Sequence, residues 1–117
     1  MKAEKLKGHL DLLLLSVLSR GPGHGYEVIT RLKVRSGGAF QLPEGTVYPA
    51  LHRLEDAGLL ASGWDVVAGR RRHIYHLTAA GEAALAEQAA QWREFSGSMA
   101  RVLGSAIPAL ATAGGMA

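Results

Sequence analysis

Residues 43–60 read PEGTVYPALHRLEDAGLL. On a helical wheel of about 100° per residue, Val47, Ala50, Leu51, Leu54 and Ala57 share one side, the apolar stripe of a helix laid on a core. The other side holds Gly45, Tyr48, Pro49, His52, Arg53 and Asp56. Gly45 and Pro49 keep that side low, so it can approach a large object closely. Tyr48, His52 and Arg53 add hydrogen-bond donors and a fixed positive charge. Pro49 admits two readings. Either Pro43 opens the helix, where proline is tolerated, and Pro49 is a mild kink, or the regular helix begins near Thr46 and Pro49 lies in its first turn. Either way, free amide groups near the start would attract a phosphate. Gly58 is a natural stop, suited to the left-handed conformation that often ends a helix.

Upstream, Leu6, Leu10, Leu13, Leu14, Val17 and Leu18 follow helical spacing and predict a first helix over residues 4–19. Leu12 and Leu15 widen its stripe beyond what one core needs. Arg20-Gly21-Pro22-Gly23 ends it. A second helix is expected from Gly25 to Arg35, with Tyr26, Ile29 and Leu32 facing inward and Gly37-Gly38 as its stop. Downstream, Leu59–Trp64 and Arg72–Leu77 hold β-formers, with Val66–Arg71 between them. That predicts a hairpin whose loop, GRRR over residues 69–72, gathers three arginines. Thr78 then caps a long helix that starts at Ala79 and runs at least to Met99 and as far as Leu103. Leu85, Trp92, Phe95, Met99 and Val102 sit close to a heptad pattern, with Gln88 as its polar member. Residues 104–117, GSAIPALATAGGMA, are small and Gly-rich, contain Pro108, and read as a disordered tail.

The fold class expected is therefore mainly α with a small β-hairpin: a winged helix-turn-helix over residues 1–78, a dimerisation helix over 79–103 and the tail over 104–117. The apolar stripe of the last helix and the surplus leucines of the first call for a covering surface, and a second copy of the chain supplies it most simply. The plainer alternative is a last helix folded back on its own core.

Composition narrows the function. The 117 residues fit one domain, and 13 Lys and Arg against 10 Asp and Glu give a net charge of +3. So small an excess permits a polyanionic partner without demanding one, and the placement of charge decides. The absence of cysteine excludes disulfides, thiolate metal sites and cysteine nucleophiles. The longest apolar run, Leu12–Leu15, is far short of a membrane span, and Glu4 and Asp11 interrupt the basic start, so a cytoplasmic protein without a leader or membrane contact is expected. His24 lies in GPGHG, which lacks the Lys-Ser/Thr of a phosphate loop. His73 and His76 are three apart on a strand and point to opposite faces. No nucleophile and base are paired, so neither catalysis nor a cofactor is expected. Two alternatives stand beside a nucleic-acid binder: a metal-responsive regulator using His9 with Glu4 or Asp11 across a dimer, and a protein-interaction module. The second has no need of Arg53 and three arginines on one surface.

A helix-turn-helix followed directly by a basic hairpin is the winged-helix arrangement, in which the helix enters the major groove and the wing follows the backbone or an adjacent minor groove. On that pattern Tyr48, Pro49, His52, Arg53, Arg70, Arg71 and Arg72 form the DNA-facing set. The sequence also resembles the PadR family of bacterial transcriptional regulators. The resemblance rests on His24-Gly25-Tyr26-Glu27, on Gly45-Thr46-Val47-Tyr48-Pro49-Ala50-Leu51 with Arg53-Leu54-Glu55 and Gly58-Leu59, and on Arg71-Arg72 with Tyr75, Leu77-Thr78 and Gly81. It implies a homodimer joined through the N- and C-terminal helices, of the short subfamily with a single C-terminal dimerisation helix. It further implies repression at an inverted-repeat operator in double-stranded DNA, often relieved by a small hydrophobic or aromatic effector. Thr46, Tyr48 and Arg53 match the family's recognition positions, and Arg70–Arg72 its wing. Val66-Val67 departs from the polar wing of many members, and the C-terminal helix varies across the family, so the effector does not carry over. Trp92 and Phe95, with their dimer mates, offer a slot for a planar compound, or else plain dimer core.

Overall fold

A computed structural model of the chain describes residue 6 and residues 8–104. It divides into two compact units, one ending at Ala86 and the other beginning at Glu87. The elements run α1 Leu10–Leu18, β1 Gly23–His24, α2 Gly25–Arg35, α3 Glu44–Asp56, β2 Leu60–Val67, β3 Arg70–Leu77 and α4 Ala79–Leu103.

The first helix starts later than its spacing predicts. Gly8 takes φ +90° and makes a turn with His9, so the regular helix opens at Leu10; residues 1–5 and 7 lie outside the described ones. Leu14, Leu15, Val17 and Leu18 are buried, while Leu10, Leu12 and Leu13 are half-buried. Leu15 thus belongs to the chain's own core and is not surplus.

His24 starts α2 through a reciprocal cap. The Glu27 N–H donates to His24 Nδ1 over 3.2 Å, and the His24 N–H donates to Glu27 Oε1 over 3.1 Å. The inner stripe is Gly25, Val28 and Leu32. Tyr26, expected inside, is 57% exposed, because it stands two and six positions from Val28 and Leu32 and falls on another face.

Of the two readings of Pro49, the later start is excluded. Pro43 caps α3 in extended backbone, φ −76° and ψ 157°, and the helix begins at Glu44. Pro49 is interior, and it and Gly45, the residue whose carbonyl loses its usual N–H donor, are both exposed. Val47, Ala50, Leu51 and Leu54 are buried as the wheel requires, and Ala57 is the exposed C-cap. Gly58, at φ +79°, donates to the Glu55 carbonyl over 2.9 Å, and Leu59 donates to the Leu54 carbonyl over 3.0 Å, so the last carbonyls are satisfied.

The sheet is antiparallel in the order β1-β3-β2. The sequence alone places Gly23 and His24 in a turn; they pair instead with Tyr75 and Ile74 of β3. The hairpin also departs from expectation. Its strands pair from Leu60↔Leu77 out to Val67↔Arg70, leaving only Ala68 and Gly69 as the turn. Their φ values, +53° and +76°, are those of a type I′ turn, whose twist matches the strands it joins. Val66 and Val67 are β-branched and extend the ladder. Arg70, Arg71 and Arg72 therefore lie in β3, beyond the turn.

The Thr78 hydroxyl accepts from the Gly81 N–H over 3.0 Å and donates to the Gly58 carbonyl over 2.7 Å, fastening the first turn of α4 to the end of α3. Ala84 and Leu85 pack on the core formed by Leu6, Leu14, Leu15, Val28, Leu51, Leu54, Leu60 and Tyr75 with their neighbours. From Glu87 onward α4 carries Trp92, Phe95, Met99 and Val102, all exposed. The expected tail falls, from residue 105, outside the described residues.

Candidate nucleic-acid interface

The outer strip of α3 consists of Gly45, Pro49, His52, Arg53 and Asp56, all exposed. Thr46 is half-buried near its start. Tyr48 does not project outward as the wheel places it. It is half-buried, and its ring lies against Gly25: a Cβ there would stand 2.4 Å from the ring. Gly25 is thus required by the close approach of α3 to α2, and Tyr48 contributes mainly to that packing. Its wheel position borders the inner face, and the bare backbone at Gly25 draws it in.

Arg53 is reached by a residue 42 positions away: its Nη2 donates to Asp11 Oδ1 of α1. Their side chains are 59% and 38% exposed. Exposed pairs contribute about 0–1 kcal/mol, so Arg53 can leave Asp11 at small cost. Glu4, the other acid of the metal reading, lies outside the described residues. Among the described residues no group of three or more His, Asp or Glu could hold a metal ion.

The pairing of β2 with β3 sorts the wing residues by face. Leu60, Ser62, Trp64 and Val66 share a side with Leu77, Tyr75, His73 and Arg71. That side faces α3, because the Ser62 hydroxyl donates to Glu55 and the Tyr75 ring lies 6.5 Å from that of His52. Arg70 and Arg72 fall on the opposite side with Val67, Asp65 and His76. The three arginines are therefore not one cluster, and His73 and His76 stand on opposite faces as their spacing requires. Arg70 and Arg71 are exposed, and Arg72 is half-buried.

Tyr75 is 1% exposed beneath α3. Burial, then the charge of Glu55 and the nearby Tyr48, raise its phenol above the ordinary value of 10.0. A raised value favours the neutral form in the fold. Its contribution is fully present below about pH 10 and is lost as pH climbs through the folded value. Tyr75→Phe should therefore lose less of its melting temperature than the parent between about pH 9 and about pH 11. Equal losses would place the alkaline sensitivity elsewhere.

The signature of the Transcriptional regulator PadR-like family matches residues 14–87, more than half of the chain. The chain belongs to the PadR-like family. A PadR family transcription regulator from Clostridium difficile R20291 is 35% identical, with a TM-score of 0.73 over 83% of this chain and 100% of that one. A PadR-like regulator from Bacillus cereus superposes with a TM-score of 0.77 at 28% identity, over 87% of this chain and 98% of that one. Over 48 residues, 41% of this chain and 45% of the other, it is 54% identical to a transcriptional regulator of Mycobacterium tuberculosis. This PadR-like chain is a transcriptional regulator with the winged-helix fold of those neighbours. No described helix is long and apolar enough to cross a membrane.

Three features of this PadR-like surface are not visible in the sequence: the Asp11–Arg53 pair, the seat of Tyr48 on Gly25, and the segregation of the arginines. The last has a signal, since Val66-Val67 permits longer strands and hence alternation through residues 70–72. The first two join distant residues and have none.

Proposed function

We propose that this regulator binds double-stranded DNA as a homodimer at an inverted-repeat operator and represses transcription in the cytoplasm. The observation that carries the reading is the low, exposed strip of α3 set beside a basic hairpin tied to it through Glu55 and Ser62. Residues 1–78 then act as the DNA-binding part and 79–103 as the dimerisation helix, covered by its mate along Trp92, Phe95, Met99 and Val102; α1 also takes part in the dimer. Trp92 and Phe95, with ring centroids 5.9 Å apart and exposures of 44% and 54%, supply flat surfaces for a small aromatic or hydrophobic effector that releases the DNA. No cofactor is needed.

Within the DNA-facing set, Arg53 reads a base or phosphate after leaving Asp11, His52 and Pro49 line the groove floor, and Thr46 and Tyr48 hold the start of the helix in place. Fluorescence anisotropy on DNA from upstream of the chain's own gene, against scrambled DNA across a salt series, tests the reading. Selective binding with a steep salt slope supports it; weak and equal binding to both opposes it at that site. Arg53→Ala should weaken selective binding by roughly 1–3 kcal/mol and relax sequence preference, if the arginine pairs with a base. An Arg53→Ala variant as selective as the parent would remove Arg53 from the reading set.

A further inference from the structure

The wing holds a chain of interactions that DNA reading by α3 does not use. Glu55, in the last turn of α3, accepts the Ser62 hydroxyl proton. Serine has only one such proton, so Ser62 Oγ accepts from His73 Nε2, 2.7 Å away, which places a proton on Nε2. The His73 ring stacks on Trp64, with centroids 4.7 Å apart and planes 10° from parallel. The Arg71 guanidinium carbon stands 4.6 Å from the centre of the same Trp64 ring. Trp64 is nonetheless 61% exposed, so burial is not the main product of these interactions. All of them lie on the α3 side of the sheet, whereas Arg70 and Arg72 lie on the other.

We infer that Trp64 is a positioning residue for DNA binding: backed by His73, Ser62 and Glu55, it holds the Arg71 guanidinium on the α3 side of the wing, so that α3 and Arg71 engage one duplex as a unit. The inference rests on the DNA-binding reading. An arginine free on a hairpin loses rotamer freedom when it meets a phosphate, and the stack on Trp64 removes much of that loss beforehand. The chain from Glu55 fixes where the stack stands relative to α3. Arg70 and Arg72, on the far side of the sheet from Trp64, add charge without sharing in that stack.

The test uses a duplex enriched by the full-length parent from a random pool, with affinity read by anisotropy and folding by melting temperature. Trp64→Leu and Arg71→Ala should each weaken binding by a similar factor, roughly fivefold. The double variant should be no weaker than either single one. Trp64→Phe, which keeps an aromatic face, should bind within about twofold of the parent. Arg70→Ala should lose less than Arg71→Ala. A merely loosened wing would give losses that multiply in the double variant, because Arg71 would act independently of Trp64. Multiplying losses, or a Trp64→Leu variant that binds like the parent while Arg53→Ala does not, overturn this inference and leave the DNA-binding reading intact. A parent that enriches no duplex sinks both.

Discussion

Gly81→Ala should destabilise the fold by about 3 kcal/mol, the most that overpacking commonly costs. A Cβ at this position would stand 2.0 Å from the Leu59 carbonyl oxygen and 3.1 Å from both the Leu59 carbonyl carbon and a Leu77 methyl. The first neighbour is backbone and cannot rotate away. That carbonyl also accepts from the Thr78 N–H over 3.2 Å, and the Leu59 N–H closes the end of α3 on Leu54. Relief of the clash must therefore shift the end of α3, the start of β2 or the first turn of α4, all of which share these bonds. Urea denaturation read by circular dichroism gives the size. Gly97→Ala, in the same helix, is the control: its Cβ meets nothing nearer than Arg101 Nη1 at 3.8 Å. There the gain in helix propensity, about 0.8–1 kcal/mol, should be the visible effect. Similar midpoints for the two variants would show that α4 can shift off Leu59 without loss.

Replacing Arg70, Arg71 and Arg72 together with alanine should weaken binding to every duplex about equally. Each phosphate left without its arginine lowers the salt slope by about 0.9, so the slope should flatten by about 1 to 3 depending on how many of the three meet phosphate. The free-energy loss should be about 1 kcal/mol or somewhat more, the roughly fivefold loss of Arg71→Ala converted at about 1.4 kcal/mol per tenfold. Sequence preference should persist, because α3 is untouched. If Trp64 holds Arg71 in place, most of the loss will already appear in Arg71→Ala. An unchanged slope in the triple variant would remove the wing from the DNA interface.

Much of this architecture is legible in the sequence because it follows local rules. Gly25–Arg35 follows from its apolar spacing and the glycines that stop it, Gly58 from its place after the apolar stripe of α3, and Thr78 from the helix-former run behind it. The departures share a cause. β1 has two residues, too few for a period, and is a strand only because β3 lies beside it. The wheel alone puts Tyr48 outside, but a large ring follows the space its neighbours leave. The bare Gly25 draws Tyr48 inward, whereas Tyr26 is exposed because its position falls off the stripe of Val28 and Leu32. Gly8 falls within a leucine pattern that reads as helix, though its positive φ ends any regular helix there. The candidate surface is legible as a composition of residues, not as a geometry. Asp11 and Arg53 are far apart in the chain, and nothing local to either announces the other.

The alternation along β3 makes the wing a device of parity. Arg71 lies on the α3 side, and Arg70 and Arg72 on the other, only because an even step separates Arg71 from the buried Tyr75. One residue added or removed between Arg72 and Tyr75 would reverse the roles: two arginines would turn toward α3 and one away, with composition and net charge almost unchanged. The turn at Ala68-Gly69 is outside this constraint, since a change there lengthens the hairpin without altering the step from Tyr75. Wings of different reach can thus be built on this frame at the turn, whereas the strand below it must keep its count.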